Sequence, residues 1–130
     1  MSKKIKALTL TLPIYLGVRK KYMIGMNWYA SANPNNRGKV KRDYHAFVGK
    51  ILPEDVYISS PVRTHYKVYY KNPGSDACNI VAVVDKFLMD ALQEHGVIAG
   101  DSVKEYRMSS WEVADKDTEF PRVEVLIEGI

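Results

Sequence analysis

One cysteine, Cys78, is all the thiol that this 130-residue chain carries. No internal disulfide is possible, so a reducing, cytoplasmic setting is expected. No run reaches the ~18 apolar residues of a membrane span, and no membrane partner is expected. The N-terminal stretch MSKKIKALTLTLPIYL is basic and then partly apolar, yet Thr9 and Thr11 alternate with Leu8, Leu10 and Leu12. That is strand patterning and no signal-peptide core. Gly-rich phosphate loops of the nucleotide-binding kinds are absent. His45, His65 and His95 lie far apart without metal-ligand spacing, so each is expected to be structural or exposed. Acids are scarce at one end: residues 1–50 hold only Asp43 against eleven Lys and Arg.

The rest of the chain inverts that balance. Residues 51–130 hold fourteen Asp and Glu against eight Lys and Arg, a net of −6 inside an overall charge of +4. The basic half suits a surface that follows a phosphate backbone, or one that merely solubilises. Carboxylates facing nucleic acid are tolerable where a divalent cation lies between them.

Length and composition, with 46% hydrophobic and 26% charged residues, predict one globular domain over residues 1–130. Its pattern predicts an α+β fold in the order β-α-β-α-β-β, a mixed sheet packed on two helices. Residues 4–13 predict a strand. Residues 27–38, rich in Asn, Pro and Gly, predict turns. Residues 39–52 predict a helix with Val40, Tyr44, Phe47, Val48 and Ile51 on one face, ended by Pro53. Val62–Tyr70 reads as a strand with Val62, Thr64, Tyr66, Val68 and Tyr70 on one side. Residues 79–95 predict a second helix, capped by Gly96. Strands follow at 103–109 and 122–127, separated by a polar loop at 115–121.

The second helix holds the candidate chemistry. At about 100° per residue, Ile80, Val83, Val84, Phe87, Leu88 and Ala91 form an apolar stripe. Lys86 and Asp90 fall within roughly 20° of Asn79 at its edge. Asp85 points about 120° away from that line and reads as solvated. Asp76 precedes the helix and Asp101 sits in the loop after it. Two acids with a lysine beside them suit Mg²⁺ held against a phosphate. The bland alternative for Lys86 and Asp90 is a surface i, i+4 ion pair. Trp28 and Tyr29 lie in a basic loop, where they either stack on an unpaired base or anchor the loop on the core. Trp111 is expected in packing or in a dimer contact.

These residues resemble the RusA-type endodeoxyribonucleases, the Holliday junction resolvases carried by phages and prophages. The family pattern is D-x-D-N, a helix with K-x-x-x-D-A-L, a Gly, and an Asp closing a short loop before a strand. Asp76 matches the first aspartate, Asn79 the asparagine, Lys86 the lysine, Asp90-Ala91-Leu92 the D-A-L, and Asp101 the loop aspartate. Asn27-Trp28-Tyr29 and Asn35-Asn36-Arg37 fit the family's Asn- and aromatic-rich basic loop.

The resemblance implies an intertwined homodimer that resolves four-way junctions and other branched DNA by paired nicks, with Mg²⁺ (or Mn²⁺) as cofactor. It assigns catalysis to Asp76, Lys86 and Asp101. Arg19, Lys20, Lys21, Asn27, Trp28, Tyr29, Arg37, Lys39, Lys41 and Arg42 would contact DNA. Cys78 departs from the pattern, standing where the motif has its second aspartate, and thiol is a poor donor for Mg²⁺. The helix is also about one turn longer than the family's. Asp90 is the preferred substitute, which makes the implied metal ligands Asp76, Asp90 and Asp101. Asn79 and Cys78 would then support the site, and Asp85 would serve only if the longer helix is rotated. The alternative function is a relative that binds DNA and has lost cutting.

Overall fold

The computed structural model describes residues 2–16 and 22–130. Along the chain run β1 (Lys3–Lys4), β2 (Ala7–Pro13), β3 (Tyr15–Leu16), β4 (Tyr22–Met23), α1 (Met26–Ser31) and α2 (Pro34–Ile51). They are followed by β5 (Val56–Tyr57), β6 (Val62–Tyr70), α3 (Ala77–Glu94), β7 (Tyr106–Lys116) and β8 (Arg122–Gly129). The principal sheet has the order β2-β8-β6-β7. Its β2/β8 and β8/β6 pairs are antiparallel, and β6/β7 is parallel. The fold is therefore α+β with a mixed sheet, as the pattern predicts.

A parallel pair of neighbours needs a crossover, and α3 supplies it. Its apolar face lies on the sheet. Leu8, Leu10 and Leu12 of β2, Val123, Val125 and Ile127 of β8, and Val62, Tyr66 and Val68 of β6 are buried against Ile80, Val83, Val84, Phe87 and Leu88 of α3. The opposite sheet face is wet, as antiparallel pairing allows. There Arg63 Nε meets Glu128 Oε1 at 2.7 Å, and Arg122 Nε meets Glu124 Oε2 at 3.1 Å.

Three predicted elements differ in the fold, the first being the strand predicted at 4–13, which divides into β1, paired with β5, and β2, paired with β8. Residues 27–38 are two helices with a short junction, and the second starts five residues before the prediction. The Asn and Pro there start a helix and form no open turn. Asn33 is the N-cap of α2, its side chain accepting from the Asn36 N–H at 2.8 Å, and Pro34 occupies the first helical turn. On α2, Val40, Tyr44 and Val48 are buried, but Phe47 and Ile51 are exposed. Asn33→Ala is expected to cost about 1 kcal/mol, read as a lower urea midpoint with unchanged slope.

The strand predicted at 103–109 lies further on. Ser102 accepts from the N–H groups of Glu105 and Tyr106 at 3.0 and 2.8 Å, which makes residues 102–105 a turn. Pairing with β6 then runs from Tyr106 to Lys116. This strand is exposed along almost all its length. Burial therefore imposes no alternation on its sequence.

Candidate functional site

The crossover helix carries the site because its two ends are defined locally and its flanks face different neighbours. Asp76 is its N-cap, and Oδ1 accepts from the Asn79 N–H at 3.3 Å. Gly96, at φ 76°, leaves the helix in the left-handed region that suits glycine. Between them Val81, Met89 and Leu92 are buried together with the predicted stripe. Burial thus extends round one flank of α3 beyond the sequence reading.

Asp85 lies on that flank, between Val81 and Met89 at i−4 and i+4. Its reading as a solvated residue is corrected here: it is half-buried and faces the sheet. The Tyr66 hydroxyl of β6 donates to Asp85 Oδ1 at 2.5 Å, and the Tyr106 hydroxyl of β7 donates to the same oxygen at 2.7 Å. Behind them the Thr64 hydroxyl lies 2.5 Å from Tyr106 Oη and donates to Ser109 Oγ at 2.9 Å.

Burial raises the Asp85 carboxyl above the ordinary aspartate range; the two tyrosine hydrogen bonds oppose the rise, and the Asp101 charge adds to it. Desolvation also pushes Tyr66 well up and Tyr106 up to about 12, so both stay protonated donors at neutral pH. The loop returning from the C-terminal end of α3 thus brings Asp101 within electrostatic reach of Asp85. A half-buried carboxylate within reach of a second acid's charge suits a bound cation.

The ligand set implied by resemblance does not assemble. Among the described residues no three His, Cys, Asp or Glu side chains are grouped to hold a metal. Asp76 and Asp90 are fourteen positions apart on α3, about 21 Å of helical rise. Asp90 turns to α2, where Lys41 Nζ lies 3.2 Å from its Oδ2. Cys78 is exposed in the first turn of α3.

The predicted line of Asn79, Lys86 and Asp90 faces the other flank, toward α1 and α2. Lys86 Nζ lies 5.9 Å from the centre of the Tyr29 ring, and the Arg37 guanidinium lies 5.3 Å from it. Arg37 Nη1 also donates to the Tyr29 carbonyl at 3.1 Å. One ring therefore draws two cations together. Trp28 and Tyr29 are partly buried and pack on Phe87, with centroids 6.3 and 6.2 Å away. Both serve as anchors for α1. Asn27, Lys39 and Arg42 are exposed on α1 and α2, and Lys41 is engaged with Asp90. Arg19, Lys20 and Lys21 lie outside the described residues.

Asp76, Lys86 and Asp101 are thus spread over the start of α3, its α1 flank and its β7 flank. What the sequence reading missed is Asp85, held by the Tyr66 and Tyr106 hydroxyls. Two signals pointed to it. Val81 and Met89 place Asp85 in an apolar row, and Tyr66, on the inward side of its strand, needs a partner for its hydroxyl. Compared with known proteins, the chain matches no family model and no curated protein.

Proposed function

We propose that this chain is a Mg²⁺-dependent endodeoxyribonuclease selective for branched DNA such as four-way junctions, with Asp85 and Asp101 as its acidic centre. Two carboxylates support the reading: Asp85, held at Oδ1 by two tyrosine hydroxyls, and Asp101, whose charge adds to the rise of the Asp85 carboxyl. They are hard oxygen donors, and Mg²⁺ typically takes one or two protein carboxylates and completes its shell with water and phosphate. The pair fits the ion in donor type and number, while the trio Asp76, Asp90 and Asp101 does not. Mn²⁺ suits the same donors.

Among the described residues both hydrogen bonds to Asp85 fall on Oδ1, which fixes the carboxylate and leaves Oδ2 to the ion. When bound, Mg²⁺ supplies Lewis-acid polarisation of the scissile phosphate and a more acidic water. Lys86 and Arg37, beside Tyr29 on the neighbouring flank, offer cations to the phosphate backbone. Contacts of that kind position the DNA without reading its sequence.

The test is cleavage of a labelled four-way junction with Mg²⁺ or with EDTA, against linear duplex. Wild type is compared with Asp101→Asn. Metal-dependent paired nicks that vanish in the variant are the expected result. Neither binding nor cutting of the junction sinks the proposal. The second reading, a DNA-binding relative without cutting, is favoured by Cys78, where the motif has an acid. It predicts tight junction binding without nicks and gain of cleavage in Cys78→Asp.

A further inference from the structure

A cavity of about 210 Å³ opens between β6, β7 and the start of α3, lined by Val68, Tyr70, Pro73, Ser75, Ile80 and Val113 among others. It is smaller than the ~300–1,000 Å³ that drug-sized ligands fill, so its guest is about one ring system in size. The walls are mostly apolar. Among the described residues neither the Tyr70 hydroxyl nor the Ser75 hydroxyl has a hydrogen-bond partner. Both are free to meet the polar edges of a guest. An apolar slot with two such hydroxyls suits a flat heteroaromatic ring.

The strand register sets an aromatic face next to this slot. Tyr106, Ser109, Trp111 and Val113 of β7 lie opposite Val62, Thr64, Tyr66 and Val68 of β6, on the helix side of the sheet. Val113 lines the cavity, and Tyr106 holds Asp85. Trp111 therefore stands between the cavity and the acid centre. It is 45% exposed, and among the described residues no other ring or cation packs on its indole. Exposed aromatic faces beside a strand of nucleic acid serve as stacking platforms. Lys71 follows Tyr70 in sequence and Lys116 lies opposite it in register, so positive charge for flanking phosphates sits at the far end of the cavity. Asp76, between Ser75 and Ala77, turns Oδ1 to the Asn79 N–H.

We propose, resting on the nuclease reading, that the cavity takes one unpaired nucleobase of the strand to be cut, with the next base stacked on Trp111. Spacing agrees with this. Ile80 at the cavity and Asp85 at the acid centre are five residues apart on α3, about 7.5 Å of rise. That is about two steps of ~3.4 Å along a stacked DNA strand. A base in the cavity thus sets the phosphate two steps along at Asp85. A base within a duplex cannot enter without losing its pair and its stack, a cost that is least where pairing is already interrupted. The cavity would therefore select strands at a branch point over continuous duplex.

Fluorescence anisotropy of a labelled oligothymidylate in EDTA tests binding without cutting, so the base site can fail while the nuclease stands. Wild type is expected to bind this strand more tightly than it binds a linear duplex, and more tightly than a chain of abasic residues of equal length. Trp111→Ala should raise the dissociation constant for the oligothymidylate by about tenfold, and Trp111→Tyr, which keeps a stacking face, should restore most of the loss. Ala77→Phe, which fills the cavity and leaves Trp111 in place, should weaken the same probe. All three variants should bind the duplex as wild type does. Equal affinity for the abasic chain overturns the proposal, because the phosphates alone would then account for binding. So does a wild type that does not bind the oligothymidylate, or binding indifferent to both Trp111→Ala and Ala77→Phe.

Discussion

Asp85→Asn is expected to lower Mg²⁺-dependent junction cleavage by roughly a thousandfold, since metal-borne charge stabilisation supplies several kcal/mol and about 1.36 kcal/mol is tenfold. The same variant should melt at a higher temperature than wild type at pH 7.5. The amide oxygen accepts from Tyr66 and Tyr106 as the carboxylate does, so the network survives. What disappears is a half-buried charge, costly chiefly through its burial and to a lesser degree through the Asp101 charge.

The sign follows from linkage. Burial raises the folded-state carboxyl above its unfolded value, so the folded chain holds that proton more tightly. The stability from this binding is full below the unfolded value and is lost as pH rises through the raised one. Wild type and Asp85→Asn should therefore melt alike in acid and diverge as pH rises, with the variant the more stable. Added Mg²⁺ should close the gap by stabilising wild type alone, because it binds only the folded acid pair. Melting curves from pH 3 to 8, with and without Mg²⁺, check this. A variant less stable than wild type at pH 7.5 would mean that the charge is stabilising and that the electrostatic account is wrong.

Phe87→Ala is expected to cost about 3–5 kcal/mol, the largest stability loss of any single truncation considered. Phe87 is buried on α3, and three rings converge on it: Tyr44 at 5.8 Å, Tyr29 at 6.2 Å and Trp28 at 6.3 Å. It joins α1 and α2 to the crossover helix. Removing the ring leaves a cavity bordered by Tyr44, Tyr29 and Trp28. For a domain with about 5–15 kcal/mol in total, the loss is a third or more. Urea unfolding should show a lower midpoint at unchanged slope. Trp28 emission, read in a Trp111→Phe background, should shift to the red at zero denaturant. A loss under about 1 kcal/mol would contradict a role as the junction's central contact.

The α+β class and the central elements were legible in the chain because their periodicities are set by burial on one side. β2 alternates Leu with Thr, β6 alternates buried with exposed residues, and α3 carries a continuous apolar stripe. Burial is a local demand on sequence, so sequence alone determined those segments. The two α-helices of residues 26–51 were partly hidden because Asn and Pro serve turns and helix starts alike, and only the following backbone tells which. β7 was misplaced because the fold leaves it exposed and asks no alternation of it.

The site divides in the same way. The sequence marked α3 and the acids around it, and Asp76 and Asp101 do stand at its two ends. Which acids meet was decided by packing. β6 and β7 present Tyr66 and Tyr106 to Asp85, while Lys41 takes Asp90 to the other flank. Spacing along one helix fixes angles about its axis, but not which neighbour each angle faces. That choice belongs to the crossover between two parallel strands, a contact between residues forty or more positions apart.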